Sequence, residues 1–254
     1  MKKIVVAFLI LAPITAHAQK FVILDFTHPT YKQSLNYSYT DIGQVKRGKR
    51  NLPGAAPIEI FSPMHLFQVE LHSKSDFTNV QFDSTCYFDA RFDSVSDFSN
   101  ANFLSESDFG DGIFEFLVDF SRVQFKSLTN FTSTKFHSSS NFEKTQFRSR
   151  SNFISTRFDS TAFFLSTEFD SSCNFNRANF YSSCFFSKSH FYSQALFSRA
   201  SFDSMSDFSF THFDSKVNFT RATFHSIADF LKVTFQIQLI SDYVISEELQ
   251  FSTN

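Results

Sequence analysis

Residues 174–184 read NFNRANFYSSC, residues 196–206 read LFSRASFDSMS and residues 218–228 read NFTRATFHSIA, so similar segments recur every 22 residues. Within them phenylalanine follows phenylalanine at alternating spacings of five and six, which defines an 11-residue repeat. Neither the 3.6-residue period of a helix nor the two-residue period of a strand fits this pattern. The repeat predicts a solenoid of short strands and tight turns, in which each coil buries its apolar side against its neighbours.

The inward positions of the predicted solenoid are set by phenylalanine. A small residue precedes each Phe by two positions, and two 11-residue repeats supply four sides per coil of about 22 residues. The predicted fold class is therefore all-β, a quadrilateral parallel β-helix whose aromatic rings form offset ladders along its axis. The predicted structural core of the central coils comprises Phe131, Phe136, Phe142, Phe147, Phe153, Phe158, Phe164, Phe169, Phe175, Phe180, Phe186 and Phe191.

The unit of a small residue, Asn or Asp, Phe and two or three variable residues resembles the repeat of the pentapeptide-repeat protein family. The resemblance covers residues 55–235 and implies a right-handed quadrilateral β-helix with the Phe and the small residue pointing inward. Every second unit has one extra residue, which departs from the family's pattern. We expect that residue to form a corner bulge at a serine two positions after the second Phe of each pair, as at Ser138.

Two local features interrupt the repeat. One residue is missing between Phe88 and Phe92, which predicts an irregular turn. Gly110 and Gly112 are expected to loosen another turn, because glycine adopts conformations that other residues avoid.

The chain divides into four predicted segments. Residues 1–18 have the features of a secretory signal peptide, with Lys2 and Lys3 before an apolar run and a small-x-small site ending at Ala18. Cleavage there would make Gln19 the first mature residue and place the protein in the periplasm or outside the cell. Residues 19–54 are a predicted N-terminal leader that covers the first coil, 55–235 the solenoid and 236–254 a C-terminal cap. No stretch after the signal is long and apolar enough to span a membrane.

Charge and cysteine content restrict the partners. Without Lys2 and Lys3 the chain carries 21 basic and 25 acidic residues, a net charge of −4. This near balance argues against nucleic acid as a partner and against the DNA mimicry by which some pentapeptide-repeat proteins inhibit topoisomerases. Cys86, Cys173 and Cys184 all occupy the small inward position, so we expect buried free thiols and no disulfide.

Outward columns of residues 22 apart supply the candidate surfaces. Arg177, Arg199 and Arg221 form one column, which predicts an anion-binding stripe for a sulfated or phosphorylated envelope glycan unless each guanidinium pairs with a nearby acid. Outward Phe163 and Phe185 form another, which indicates a partner or carbohydrate contact or else a tolerated drift of the repeat. Two exposed tyrosines extend the aromatic surface, namely Tyr181 and Tyr192.

Metal and acid chemistry are both weaker interpretations. His190 and His212 stand above Glu168 in one column, but a surface ladder rarely brings three ligands to one tetrahedral centre, so no metal is predicted. Two pairs of aspartates, Asp159 with Asp203 and Asp170 with Asp214, lie two coils apart on an open face, at about 10 Å. No catalytic residue and no cofactor are predicted.

The function predicted from the sequence is an exported, non-catalytic solenoid that serves as a scaffold or a binding surface for a protein or an envelope glycan. The alternative is a glycan-binding module, with glycan cleavage as its weaker variant, that uses the outward face from Phe163 to Arg221. Imperfectly capped repeats can also stack, so an end-to-end homodimer stays open.

Overall fold

The computed structural model describes residues 5–9, 22–25, 58–60, 63–72, 74–236, 239–240 and 245–250. Of the predicted signal peptide and leader, the described parts are Val5–Leu9 and Val22–Asp25, which pair as antiparallel strands, and the rest of residues 1–54 lies outside the described residues. Much of the predicted C-terminal cap lies outside them as well. Every regular element in the described part is a β-strand. No helix there has the length and hydropathy to cross a bilayer.

The strands wind into a parallel solenoid of about eight coils. Residues 22 apart are paired in register, as Glu168 is with Gln146 below it and with His190 above it. The parallel ladders define four faces, which we number in the order in which the chain reaches them. The predicted four-sided β-solenoid with about 22 residues per coil is confirmed.

The bounds of the strands follow the repeat. Face 1 contains Ile58–Ile60, Val80–Phe82, Asn102–Phe103, Gln124–Phe125, Gln146–Phe147, Glu168–Phe169, His190–Phe191, His212–Phe213 and Thr234–Phe235. Face 2 contains Met64–His65, Cys86–Tyr87, Ser107–Asp108, Thr129–Asn130, Ser151–Asn152, Cys173–Asn174, Ala195–Leu196, Val217–Asn218 and Leu239–Ile240.

Faces 3 and 4 are joined in the last coil. Face 3 contains Val69–Leu71, Ala90–Phe92, Ile113–Phe114, Lys135–Phe136, Arg157–Phe158, Asn179–Phe180 and Ser201–Phe202. Face 4 contains Ser75–Asp76, Ser96–Asp97, Val118–Asp119, Ser140–Asn141, Ala162–Phe163, Cys184–Phe185 and Ser206–Asp207. Thr223–Asp229 crosses the corner between them as one strand and pairs with both, and Ile245–Gln250 lies beside it.

The corners are of two kinds. Where the Phe spacing is five, a four-residue turn closes with an i to i+3 hydrogen bond, as from the backbone N–H of Thr134 to the carbonyl of Phe131 at 3.1 Å. The third residue of such a turn, here Ser133, has a positive φ of 58°, which makes the turn type II. Where the spacing is six, the extra residue lies in an open bend, as at Ser138. The predicted corner is thus present, but as an open bend and not as a bulged strand pair.

The two irregular turns behave differently. In the shortened turn the backbone N–H of Ala90 donates to the carbonyl of Phe88 at 2.8 Å, so the missing residue is absorbed before the strand resumes its register. The prediction that Gly110 and Gly112 loosen a turn is wrong. The left-handed position falls on Asp111, with φ 57°, and the turn closes normally. Gly112 matters for space instead, because a Cβ there would lie 3.0 Å from the carbonyl of Phe88.

Four ladders of phenylalanine fill the interior. All twelve of the predicted core phenylalanines are 0 or 1% exposed. Rings in successive coils stack nearly parallel, with centroids 4.8 Å apart for Phe142 and Phe164 and 5.0 Å for Phe147 and Phe169. The ladders of faces 2 and 4 also meet edge to face across the axis, as Phe153 and Phe164 do at 5.6 Å. Both arrangements are ones that aromatic rings favour.

Small inward residues connect one coil to the next. The hydroxyl of Thr134 donates to the carbonyl of Phe109 in the preceding coil at 2.7 Å, and Thr145, Thr156, Thr167 and Thr211 make equivalent bonds. The three cysteines occupy the same inward position and are free and buried, as predicted. Burial raises the pKa of the Cys86 and Cys184 thiols to about 12, so they act as small apolar groups.

Replacing a ladder phenylalanine should be far more destabilising than replacing an outward one. Phe169→Ala removes a fully buried ring that stacks on both sides, and we expect it to lower the free energy of unfolding by about 3 to 5 kcal/mol. Phe163→Ser, at a partly exposed position, should cost much less. Urea denaturation of both variants checks the ranking, and the reverse order would refute the inward and outward assignment.

Candidate functional site

Three arginines form a line along the corner between faces 2 and 3. Arg177, Arg199 and Arg221 each occupy the third position of a type II turn, with φ of 59°, 60° and 59°. The backbone N–H of Arg177 donates to Ser198 and that of Arg199 to Thr220, both at 3.0 Å, so the turns stack directly on one another. The side chains are exposed. Stacking of the coils therefore holds three cationic side chains in one column, about 4.8 Å apart at the backbone.

None of these three guanidinium groups lies within 4.0 Å of an acidic oxygen in the described part of the chain. Arginines on other surfaces behave differently: Arg148 pairs with Asp170 and Arg157 with Asp159. The expectation that nearby acids would neutralise the column is therefore not met within the described residues.

The arginines line a groove with a volume of about 560 Å³. Ile154, Asn176, Ser198 and Thr220, the second residues of the same turns, form its floor. The Asn176 amide nitrogen and the Thr220 hydroxyl make no hydrogen bond to a described residue, whereas the Ser198 hydroxyl donates to the Thr220 carbonyl at 3.0 Å. We call this feature the arginine groove. It presents cations and free donors, which is the chemistry that binds sulfate, phosphate or carboxylate.

The strands that flank the arginine groove carry no charge in these coils. Their outward residues are Asn174, Leu196 and Asn218 on face 2 and Asn179, Ser201 and Thr223 on face 3. An anion in the groove would therefore meet the guanidinium charges without a competing carboxylate beside them.

Phe163 and Phe185 stack on each other on the outside of face 4, with ring centroids 5.5 Å apart and an interplanar angle of 10°. Elsewhere in this column an Asp or Asn accepts a hydrogen bond from the backbone two residues on, as Asp119 does from Ser121 at 2.8 Å. Such a bond stabilises a turn. The two aromatic rings stand where this side-chain cap would be, so the pair replaces a structural contact with partly exposed apolar surface.

The two tyrosines lie at different corners. Tyr181, between faces 3 and 4, packs under the guanidinium of Arg157, which is 4.7 Å from the ring centroid. Tyr192, between faces 1 and 2, stacks on His190 at 3.7 Å. Both side chains are nearly half exposed.

The predicted single face from Phe163 to Arg221 does not exist. Phe163 and Arg177 are 14 residues apart in a 22-residue coil, so they lie on different sides of the solenoid. The arginine column, the Phe163–Phe185 pair and Tyr192 belong to three separate surfaces. Similarity at one position of the repeat was evident from the sequence, but the angle between positions depends on how the four sides close.

The histidine column is occupied by other contacts. His190 binds Asp214 through Nε2 at 2.7 Å, its ring lies 5.3 Å from that of His212, and Glu168 accepts a bond from Gln146 at 3.0 Å. Among the described residues a different group, Glu70, His72 and Asp93, brings potential metal ligands within 4.8 Å. There the Arg91 guanidinium already binds Asp93 at 2.6 Å and opposes a cation.

Each of the four aspartates considered for acid chemistry has a partner on its own surface. Asp159 contacts Arg157, Asp170 contacts Arg148 and Asp214 contacts His190. Asp203 accepts a bond from the Ser201 hydroxyl at 2.6 Å. The pairs predicted to be two coils apart are held separately by these contacts.

The fold and its surfaces define a β-solenoid repeat protein whose reactive groups lie in outward columns. No family model and no curated protein matches the sequence. Among solved structures, the chain is similar to a trypsin-treated variant of QnrB1, a plasmid-mediated fluoroquinolone resistance protein. The two share 13% identity, the match covers 70% of this chain and 90% of that one, and the TM-score is 0.25. A similarity this low assigns neither a family nor an activity.

Sequence reasoning missed an acidic group on the corner that carries the arginines. Asp89 and Asp111 occupy this corner in earlier coils, and Asp108 adjoins them on face 2. The pKa of Asp89 is raised above its usual 3.8, first by burial and then by the charges of Asp111 and Asp108. The signal was available, since 89, 111 and 177 belong to one column once the missing residue near Phe88 is counted.

The raised pKa of Asp89 gives a stability prediction. The folded state holds this proton more tightly than the unfolded chain, so its contribution is favourable at low pH and is lost as pH rises from about 3.8 through the higher folded pKa. We expect Asp89→Asn to be more stable than the wild type at pH 7, with the advantage vanishing at acidic pH. Urea denaturation across this range tests it, with Asp203→Asn as the equal charge change, and identical profiles for the two variants would contradict it.

Proposed function

We propose that this protein is an exported, non-catalytic scaffold that binds an anionic ligand in the arginine groove, and that the ligand is a sulfated or phosphorylated glycan of the cell envelope. The solenoid supplies a rigid support, because every coil is fixed by four backbone ladders and a packed aromatic core. Rigid elements position binding groups more accurately than loops.

The observation that carries the proposal is the unpaired state of Arg177, Arg199 and Arg221. Neighbouring unit charges about 4.8 Å apart repel by about 1 kcal/mol in a water-like dielectric. The solenoid keeps these charges together in a neutral setting, while Arg148 and Arg157 elsewhere are paired. An anion placed along the column would offset that repulsion and gain charge-assisted hydrogen bonds.

Two features favour a glycan over other anions. The backbone N–H groups of Arg177 and Arg199 are used in stacking the turns, so an acidic peptide cannot add here as a strand. Asn176 and Thr220 offer neutral polar groups of the kind that pair with sugar hydroxyls. A net charge of −2 gives no general attraction for long nucleic acids.

The absence of catalysis is part of the proposal. The carboxylates of Asp159, Asp170 and Asp214 are each held by a cation or histidine partner on an open surface. Glycoside hydrolysis requires two carboxylates that face one bond from both sides. The contacts of these groups are those of surface ion pairs.

Export rests on residues 1–18. The basic start, apolar run and small-x-small site are typical of a secretory signal. Mass spectrometry of the protein recovered from cells should find Gln19 as the N-terminus, and a chain that retains Met1 in the cytoplasm would refute export.

Binding of a heparin tetrasaccharide, followed by calorimetry at low salt, tests the site. Arg199→Asn should weaken binding roughly fivefold, the effect of one exposed charge contact of about 1 kcal/mol. Asparagine tolerates the left-handed backbone of this position, so the fold should be retained. Arg122→Asn is the matched control, because Arg122 has φ 56° on the corner between faces 4 and 1.

Two results would contradict the proposal. Equal weakening by Arg199→Asn and Arg122→Asn would indicate non-specific attraction to a cation. Self-association of the ligand-free protein that Arg199→Asn abolishes, measured by sedimentation at low salt, would indicate that the groove binds a second copy of the chain instead.

A further inference from the structure

The charge of the corner between faces 2 and 3 reverses along the solenoid axis. The outward turn residues of successive coils on this corner are Asp89, Asp111, Ser133, Ser155, Arg177, Arg199 and Arg221. The parallel register places them in one column, coil above coil. One corner therefore carries carboxylates at one end, uncharged serines in the middle and guanidinium groups at the other end.

The carboxylates at the acidic end are not neutralised within the described residues. Asp111 is exposed and Asp89 is partly buried, and neither forms an ion pair with a described residue. Asp108 uses one oxygen to accept bonds from the Gly110 backbone and the Asn130 amide, both at 2.8 Å, and keeps its charge. The raised pKa of Asp89, caused in part by Asp111 and Asp108, indicates that the three groups share one negative field.

The nearest cation on face 3 does not cancel this field. The guanidinium of Arg91 binds Asp93 at 2.6 Å and Glu115 at 2.9 Å, so its charge is balanced on its own surface. The negative end of the corner thus faces solvent as an uncompensated patch.

The distances set a length scale for any ligand. With a rise of about 4.8 Å per coil, the three arginines span about 10 Å, and about 15 Å separates Arg177 from Asp111. The screening length is about 10 Å at 0.1 M salt. An anionic chain that extends from Arg177 past Ser155 therefore gains no further cation and then approaches the carboxylates.

We infer that the arginine groove takes a short oligoanion with two or three charges over about 10 Å, and that Asp89 and Asp111 limit its length and fix the end from which it enters. The selection rests on the proposed anion binding and narrows it. The ligand class is a terminal or branch segment of a sulfated or phosphorylated glycan, not the interior of a long polyanion.

Size-defined heparin oligosaccharides, from disaccharide to dodecasaccharide, test the length limit by calorimetry with the full chain. The wild-type affinity per chain should rise up to the length that supplies three charges to the groove and then stay level. The double variant Asp89→Asn/Asp111→Asn should continue to gain affinity with length and bind the longest chains roughly threefold more tightly. Asparagine suits the left-handed backbone of Asp111, so this variant should fold.

The matched control is Asp97→Asn/Asp119→Asn, which makes the same charge change on face 4 and can keep both turn caps through the asparagine oxygen. It should retain the wild-type plateau. A wild-type affinity that rises steadily with length, or equal behaviour of the two double variants, would overturn the length limit while leaving anion binding intact. Failure of every oligosaccharide to bind the wild type would overturn the proposed function itself.

Discussion

The match between two spacings underlies the whole structure. Parallel strands joined by backbone hydrogen bonds lie about 4.8 Å apart, and offset aromatic rings stack at nearly the same distance. Phe142 and Phe164, paired at 4.8 Å, satisfy both at once. A side chain that follows the backbone up the axis therefore meets its copy at a favourable separation in every coil. No other residue type in this chain fills so much of the interior with so little distortion, which explains why 40 phenylalanines accumulate.

The tight turns add a constraint that the sequence conceals. A type II turn needs a positive φ at its third residue, and glycine is the usual choice. Here the fifteen non-glycine residues with positive φ include arginine, lysine, serine and phenylalanine. Each costs about 1 kcal/mol or more in backbone strain, which the stacked coils over-determine. These positions project side chains outward, so the strained residues are also the ones that form the arginine groove.

The sequence predicted the coil length, the four sides and the inward ladders, because those features follow from where phenylalanine recurs. It did not predict the left-handed turns, since the glycines that would mark them are absent, and Gly110 and Gly112 pointed to the wrong position. It also grouped Phe163 with Arg221, because a repeat shows which residues stack but not which corners are neighbours. The acidic end of the arginine corner stayed hidden behind the residue missing between Phe88 and Phe92.

The 11-residue repeat is half of a coil, and this gives the interior and the exterior different symmetries. Shifting the chain by 11 residues puts phenylalanine on phenylalanine and turn on turn, so the packed interior is nearly unchanged. The same shift carries every outward column to the opposite side of the solenoid. Evolution can thus gain or lose a whole coil and keep each surface aligned, whereas a half-coil insertion would preserve folding while separating Arg177 from the column above it. The core counts in elevens, but recognition counts only in twenty-twos.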